Sequence, residues 1–287
     1  MLPAMTAKPR VAIIGPGRLG SSLAIELNRA GYEVSELVSR GASSSGTMRR
    51  LARKLHARLS RPQAALLDAD VIWFCVPDRE ILPAARTLAG HGEWRGKAAF
   101  HSSGALTSAE LGILRRKGAR VASVHPMMSF VRGVVPSLKG VPFALEGDPG
   151  ALPVAARIVR RLGGTPFRIP AKSKIAYHAW GAFASPLVVA LLVTAEQVAV
   201  AAGLRPRDAR RKMLPILKQT LENYHRSGAA GAFSGPLVRG DAEILVKHLK
   251  ILSRIPDAEE VYLALSHAAL RYLPVGQRRK LAKALPH

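Results

Sequence analysis

The sequence contains a single cysteine, Cys75, among 287 residues. One cysteine excludes a disulfide framework and a cysteine-rich zinc site, and the sequence predicts no other metal site. Because Cys75 lies in an apolar run, we expect it to be a small buried hydrophobic residue rather than a nucleophile.

Aromatic and acidic residues are also scarce. Phe, Trp and Tyr make up 5% of the chain, and 19 Asp and Glu stand against 43 Lys and Arg, giving a formal net charge of +24. A basic chain can bind nucleic acid, but here the basic residues are scattered and not interleaved with aromatic residues, so no stacking platform is predicted. We expect weak, nonspecific polyanion affinity, no specific nucleic-acid partner, and a preference for small anionic ligands.

No signal-peptide pattern is visible near the N-terminus. One apolar stretch, residues 179–203, is long enough to consider as a membrane span, but it contains Pro186, Glu196 and Gln197, and polar residues are costly in lipid. We interpret it as a helix buried in protein on every side. We therefore expect a cytoplasmic protein without a membrane contact.

Up to residue 170, short apolar runs alternate with helical patterns, which is typical of a parallel sheet with crossover helices. Strands are predicted at residues 11–14, 33–38, 71–76, 97–101, 120–125, 141–145 and 165–169, and helices at residues 19–30, 46–57, 108–117 and 151–162. Beyond that point helical periodicity dominates, with helices predicted over about 171–202, 207–225, 241–252 and 258–271. We predict an α/β protein with a doubly wound domain at residues 1–170 and an all-helical domain at residues 171–287.

A glycine-rich segment, G-P-G-R-L-G, stands between the first predicted strand and the first predicted helix. In that context the first glycine permits a tight turn, the second lets the backbone approach a pyrophosphate, and the third allows close helix packing. Free amides at the helix N-terminus then face the phosphates. The segment predicts a dinucleotide site formed by Gly15, Pro16, Gly17, Arg18, Leu19 and Gly20.

The choice between NAD and NADP depends on the end of the second strand. NAD sites usually carry an acidic residue there, which binds the ribose 2′-hydroxyl. This chain has Ser39 and Arg40 instead, and the nearest acid, Glu36, lies inside the predicted strand. Arg40 can pair with a 2′-phosphate and Ser39 can hydrogen-bond it. We predict NADP (NADPH) as the cofactor.

Three segments follow predicted strands, at the sheet edge where ligands bind in open α/β folds. Val76 and Pro77 are expected to approach the nicotinamide, and Ser102 and Ser103 to hold an anionic group. His125 is a candidate substrate-binding residue, although it and the neighbouring His101 could equally be structural hydrogen-bonding histidines.

A fourth segment begins the long predicted helix. Lys174 and His178 are four residues apart, so they share a helical face. A lysine can stabilise the charge on a ketone oxygen that accepts hydride and donate a proton if burial lowers its pKa. His178 would orient the substrate or assist the transfer. A solvated lysine with a packing histidine is the alternative, and Lys172 is the rival in another register.

The remaining substrate-binding candidates lie in the helical half. Arg239 could bind a carboxylate in bidentate geometry, although an interdomain ion pair would look the same in the sequence. Asp241 precedes an apolar helix, where N-capping is the simpler role. Asn223 completes this set.

The chain contains, in this order, the motifs GPGRLG, WFCVPD, HSSGAL, VHPMMSF, FALEGD, K-x-x-YH and GPLVRGD. Their order resembles that of the bacterial Rossmann-like family that carries a C-terminal domain of unknown function. More distantly, the chain is similar to the 6-phosphogluconate dehydrogenase-like superfamily, which includes pyrroline-5-carboxylate and ketopantoate reductases. The resemblance implies a Rossmann-type sheet followed by an all-helical 6-phosphogluconate dehydrogenase C-terminal-like domain. It also implies a homodimer formed through that helical domain.

The same resemblance carries expectations about the chemistry. In the superfamily a lysine four residues before an asparagine is the proton donor; Lys174 matches the lysine, and His178 stands in place of the asparagine. The implied substrate is a small 2-oxo acid related to ketopantoate, reduced by NADPH. An imine or cyclic imino acid reductase, and a non-catalytic NADP-binding sensor or scaffold, are the alternatives.

Overall fold

A computed structural model describes residues 8–41, 46–131 and 133–286 of the chain. The chain forms two compact units, Met1–Ala182 and Phe183–His287, and each is described by itself. The domain boundary predicted near residue 170 lies just after the last strand of the sheet. The first unit extends beyond it because the side chains of Lys174 and Tyr177 are buried in that unit.

The first unit is built on one eight-stranded sheet. Its strands are β1 (Val11–Ile14), β2 (Val34–Val38), β3 (Arg58–Ser60), β4 (Val71–Phe74), β5 (Ala98–His101), β6 (Arg120–Pro126), β7 (Pro142–Gly147) and β8 (Thr165–Arg168). They are arranged in the order β3-β2-β1-β4-β5-β6-β7-β8. Every neighbouring pair is parallel except β6 and β7. The predicted doubly wound α/β architecture is confirmed.

The helices of this unit are α1 (Arg18–Arg29), α2 (Gly46–Leu55), α3 (Asp78–Leu88), α4 (Gly112–Arg116), α5 (Leu152–Arg161) and α6 (Lys174–Ala184), the last of which crosses into the second unit. The helix predicted at 108–117 divides into a 3₁₀ turn, Ser108–Leu111, and α4. The sequence prediction missed β3, which has three residues and one apolar side chain, and α3, which contains Pro83.

Apolar side chains cover both faces of the central strands. Along β1 and β4, Ile13 and Trp73 belong to the core on one face, and Ala12 and Ile72 to the core on the other. All four are fully buried. This two-sided burial explains the uninterrupted apolar runs in the sequence.

The second unit is helical throughout its described residues, 183–286. Its helices are α7 (Pro186–Ala201), α8 (Pro206–Ala232), α9 (Pro236–Arg239), α10 (Ala242–Leu252), α11 (Ala258–Tyr272) and α12 (Arg278–Ala284). The predicted loss of strand structure after residue 170 is therefore confirmed for this part of the chain. The sequence prediction missed the short helices α9 and α12.

The long apolar helix differs from its prediction in two respects. It is interrupted at Ser185, whose backbone (φ −135°, ψ −81°) is not helical, because the ring of Pro186 disfavours a helical conformation in the residue before it. It is also not buried on every side: Glu196 is the buried residue of α7, while Leu187 and Val189 are about half exposed. By length and composition alone, Ala171–Ala201 is the one described segment that could cross a membrane.

Candidate active site

The glycine-rich loop connects β1 to α1. Gly15 has a φ of +84°, and a Cβ there would lie 2.5 Å from Val76 Cγ1. A Cβ on Gly20 would lie 2.4 Å from the carbonyl oxygen of Gly15. A Cβ on Gly17 would meet no atom within 4 Å. The fold itself therefore requires glycine at the first and third positions, whereas the second borders open space.

A cavity of about 630 Å³ adjoins this loop, a volume within the usual range for ligand sites. Seven of the ten predicted cofactor residues line it: Gly15, Pro16, Gly17, Ser39, Arg40, Val76 and Pro77. The other three, Arg18, Leu19 and Gly20, form the first turn of α1. The first amides of a helix have no intrahelical acceptor, so this turn presents N–H donors beside the cavity.

Two charged residues that line the cavity come from the segment after β2 and from α3. Arg40 is exposed and forms an ion pair with Glu80, with 3.3 Å between Nη1 and Oε2. Glu36, in contrast, is buried inside the sheet. Its carboxylate accepts hydrogen bonds from Ser60 Oγ at 2.6 Å and from the amide of Leu67 at 2.9 Å. Glu36 thus stabilises the edge of the sheet through these hydrogen bonds, and its buried carboxylate is not positioned to bind a ribose hydroxyl.

The Ser102 hydroxyl is engaged inside the protein. It accepts a hydrogen bond from Trp73 Nε1 at 2.8 Å and hydrogen-bonds the thiol of Cys75. Burial raises the pKa of that thiol to about 12, so Cys75 stays protonated and unreactive, as expected from the sequence.

The Ser103 hydroxyl is likewise engaged. It donates to Asp78 Oδ2 at 2.9 Å and accepts from the amides of Ala105 at 3.2 Å and Leu106 at 2.9 Å. The expectation that the hydroxyls of Ser102 and Ser103 hold a substrate anion is therefore revised. Both serines shape the loop after β5 because their hydrogen-bonding capacity is used within the fold.

His101 is a structural residue of the same loop. Its Nδ1 accepts from the Ser103 amide at 3.1 Å, and its Nε2 donates to the carbonyl oxygen of Thr107 at 2.9 Å. Burial lowers the pKa of His101 to about 4, so the imidazole is neutral. Of the two roles left open by the sequence, the structural one is confirmed.

Lys174 lies beneath this loop. The residue is 1% exposed, and its ammonium donates to the carbonyl oxygen of Ser103 at 2.7 Å and to the hydroxyl of Ser123. Burial lowers the pKa of Lys174 to about 8, and the carboxylates of Glu146 and Asp78 oppose that shift. The expected lowering of the pKa is confirmed, but the ammonium faces the protein interior. Its expected role as the direct proton donor is revised accordingly.

Two histidines flank Gly104. A Cβ at Gly104 would lie 2.9 Å from His125 Nε2 and 2.8 Å from His178 Cδ2. His125 Nδ1 is 2.7 Å from the hydroxyl of Tyr177, and the two rings are nearly perpendicular. Lys174 and His178 thus do share a helical face, since both reach the Ser103–Gly104 backbone.

Burial keeps both members of the His125–Tyr177 pair neutral. Burial, followed by the positive charge of Lys174, lowers the pKa of His125 to about 4. Burial raises the pKa of Tyr177 to about 12. Sequence reasoning did not select Tyr177 as a functional residue. The available signal was its position three residues after Lys174, which places both on one side of α6.

The candidates of the helical half belong to the second unit. Arg239 Nε lies 2.8 Å from Asp241 Oδ2 in an ion pair, so its charge is neutralised by a neighbour two residues along the chain. Asp241 is the N-cap residue of α10, but its side chain makes no capping hydrogen bond. The expected side-chain cap is therefore wrong, because the carboxylate is turned to Arg239. Asn223 lies within α8.

Comparison with known proteins agrees with this architecture. Residues 4–126 match the model of a Rossmann-like domain, and residues 141–269 match a domain of unknown function, DUF2520. None of the curated proteins matches the chain significantly.

Several solved structures share the fold over nearly the whole chain. A protein from Bacteroides fragilis described as an NADP oxidoreductase has a TM-score of 0.74 at 20% identity, covering 91% of this chain and 97% of that one. A Thermotoga maritima protein has a TM-score of 0.71 at 24% identity, covering 95% and 98%. An imine reductase from Myxococcus stipitatus in complex with NADP⁺ has a TM-score of 0.66 at 15% identity, covering 97% and 100%. At these identities the likeness establishes the fold.

Proposed function

We propose that this chain, which belongs to the family that joins a Rossmann-like domain to a DUF2520 domain, is an NADPH-dependent oxidoreductase that reduces a small C=O or C=N compound. The observation that carries the proposal is the cavity beside the β1–α1 loop. At this cavity Gly17 leaves space beside the backbone, and Arg40 supplies a positive charge.

The residues around the cavity fit a phosphorylated dinucleotide. Gly17 leaves room for a pyrophosphate against the N-terminus of α1, where the amides and the helix dipole favour negative charge. Ser39 and Arg40 would bind the 2′-phosphate, for which Arg40 must exchange its contact with Glu80. Bound NADPH supplies the hydride. Val76 and Pro77 are the cavity residues that we expect beside the nicotinamide.

Two substrate classes follow from different observations. A 2-oxo acid related to ketopantoate follows from the sequence resemblance. However, the hydroxyls of Ser102 and Ser103, which were expected to hold its carboxylate, make hydrogen bonds within the protein, and Arg239 is paired with Asp241. An imine is favoured by the names of similar structures, which include imine reductases and a pyrroline-5-carboxylate reductase. An uncharged ketone or imine would need no carboxylate pocket in the first unit.

The proposed function is tested by following NADPH oxidation with a panel of 2-oxo acids that includes ketopantoate, ketones with and without an amine, and cyclic imines. We expect turnover with at least one class, at a rate that depends on the substrate. Tight NADPH binding without turnover across the panel would instead support a sensor or scaffold. Failure to bind NADPH would overturn the cofactor assignment as well.

Replacing Arg40 with alanine is expected to weaken NADPH binding and to leave NADH binding unchanged. A hydrogen bond to a charged group contributes about 1.5–3 kcal/mol, which corresponds to roughly a tenfold to hundredfold increase in the Kd for NADPH. The measurement is a fluorescence titration with each nucleotide. The matched control is Arg79→Ala, since Arg79 is 87% exposed beside Glu80 and does not line the cavity. Equal Kd values for NADPH and NADH in the wild type would contradict NADP preference.

We further propose a cytoplasmic homodimer formed through the helical unit. The exposed apolar surface of α7 supports self-association, since solvent-exposed apolar patches of this kind mark interaction surfaces. Val189→Asp, at a position 59% exposed, is expected to convert the dimer to monomer in size-exclusion chromatography with light scattering. Tyr272→Asp, at a position 77% exposed near the end of α11, is the control. A wild-type monomer would contradict the proposal.

A further inference from the structure

The contact between His125 and Tyr177 is the part of the site to which the proposed function has so far given no role. The two residues are 52 positions apart in sequence, and the hydroxyl lies 2.7 Å from Nδ1. Tyr177 is 7% exposed and packs edge-on against Phe167 and Trp180. The aromatic packing holds the phenol ring in place, so the hydroxyl is directed at the imidazole.

The hydrogen-bond inventory of the pair determines the tautomer of His125. A buried phenol must donate its proton, and His125 Nδ1 is the acceptor that the structure places at its oxygen. Nδ1 therefore accepts. Since the imidazole is neutral, the remaining ring proton is on Nε2.

The Nε2–H group of His125 is directed toward Gly104, where a side chain is missing. A Cβ at that position would lie 2.9 Å from Nε2, so any other residue would press on the donor. The φ of Gly104 lies outside the left-handed range, and backbone strain therefore does not require glycine here. His101 differs in this respect, because its Nε2–H is bound to Thr107. The lack of a side chain at Gly104 leaves a gap beside His125 Nε2, which His178 Cδ2 also borders.

The position of His125 suits a donor to the reacting atom. It lies near the end of β6, beside the end of β5, and ligands bind at the carboxyl ends of such strands. Lys174 places a positive charge near the imidazole, which stabilises negative charge that develops at this point.

We propose that His125 Nε2–H is the hydrogen-bond and proton donor of the proposed reduction, and that Tyr177 is the positioning residue that sets its tautomer and keeps the ring neutral by donating to Nδ1. This inference rests on the proposed function. As the dihydronicotinamide hydride forms the new C–H bond, the π electrons of C=O move to the oxygen. The Nε2–H bond then breaks and the substrate O–H bond forms. At the same time Nδ1 takes the phenolic proton, so the imidazole stays neutral. After the product leaves, a proton from water binds Nε2 and Nδ1 returns its proton to the Tyr177 oxygen, which restores the starting tautomer. For an imine, nitrogen takes the place of the oxygen.

The first test uses the protein without cofactor or substrate, and measures the ¹⁵N signals of the His125 ring by NMR. In the wild type we expect a single tautomer with Nδ1 as acceptor and Nε2 protonated. In Tyr177→Phe, which retains the ring packing, we expect a mixture of tautomers. The matched control is Tyr262→Phe, because Tyr262 makes the same contact with His248 Nδ1, at 3.0 Å, in the second unit. This control should leave His125 unchanged.

The second test uses turnover of the best substrate from the panel. Tyr177→Phe is expected to lower kcat by about tenfold to a hundredfold with little change in KM, a typical range for a lost proton-transfer contribution. Gly104→Ala is expected to lower kcat/KM by a similar factor while the His125 tautomer stays as in the wild type, since the added Cβ would lie beside Nε2 of the His125 ring and against His178 Cδ2, away from the Tyr177 contact at Nδ1. Thermal melting confirms that each variant is folded.

The outcomes separate this inference from the proposed function. If turnover occurs but the wild-type imidazole carries its proton on Nδ1, or if Tyr177→Phe changes neither the tautomer nor kcat, the donor assignment is overturned. If the tautomer is as expected but no carbonyl or imine is turned over, the proposed reduction fails, and with it the proton-transfer step. The Nε2–H geometry would then stand as a ligand-binding feature only.

Discussion

Replacing Gly17 with alanine is expected to weaken NADPH binding by about tenfold to a hundredfold without changing the melting temperature. The backbone of Gly17 is extended (φ −74°, ψ −152°), so no left-handed conformation requires glycine there. A Cβ there meets no protein atom within 4 Å. The added methyl group would therefore occupy only the space through which a pyrophosphate must approach the first turn of α1. Fluorescence titration with NADPH and thermal melting measure the two quantities separately.

Gly20→Ala is the counterpart that should give a different result. Its Cβ would lie 2.4 Å from the carbonyl oxygen of Gly15 and 3.0 Å from Cys75 Cβ, so backbone atoms must move. Overpacking of this kind costs about 1–3 kcal/mol, and we expect a lower melting temperature together with weaker binding. Wild-type affinity in Gly17→Ala would show that the loop is a turn of the fold without a phosphate-binding role.

We expect the free energy of unfolding of the wild type to rise with pH in alkaline solution, and we expect Lys174→Met to lack most of this rise. In the unfolded chain the lysine keeps its proton up to its ordinary pKa of 10.5, whereas in the folded protein burial lowers that pKa to about 8. Between these values the unfolded state binds more protons, so the free energy of unfolding increases with pH. At roughly 1.4 kcal/mol for each pKa unit, the wild type should gain about 3 kcal/mol across this range.

The measurement is urea denaturation at about pH 7 and about pH 11. Methionine has a similar volume but carries no charge, so the variant should lack the Lys174 contribution to the rise. Lys172→Met is the matched control, because Lys172 is an exposed residue two positions away; it should behave like the wild type. An unchanged pH dependence in Lys174→Met would contradict the buried ammonium and its contacts with Ser103 and Ser123.

Local pattern was sufficient for most of the fold. The central strands were predictable because both of their faces are buried, which produces uninterrupted apolar runs. The strand β3 was not, because its pairing with β2 depends on a neighbour rather than on its own three residues. The exposure of α7 was also missed. An apolar sequence indicates that the surface of a helix is covered. It does not show whether other helices of the same chain or another molecule cover that surface.

Residue pattern alone indicated most of the strands and helices, the glycine loop and the cation after β2. These features are local, since each depends on residues adjacent in the chain or one helical turn apart. The contacts of Ser103, Lys174, His125 and Tyr177 depend on the tertiary structure. Lys174 bonds to a carbonyl 71 positions away, and His125 meets a phenol 52 positions away. Which polar groups are used inside the protein and which remain open to a ligand depends on these distant partners, because most buried donors and acceptors find a hydrogen-bond partner within the fold.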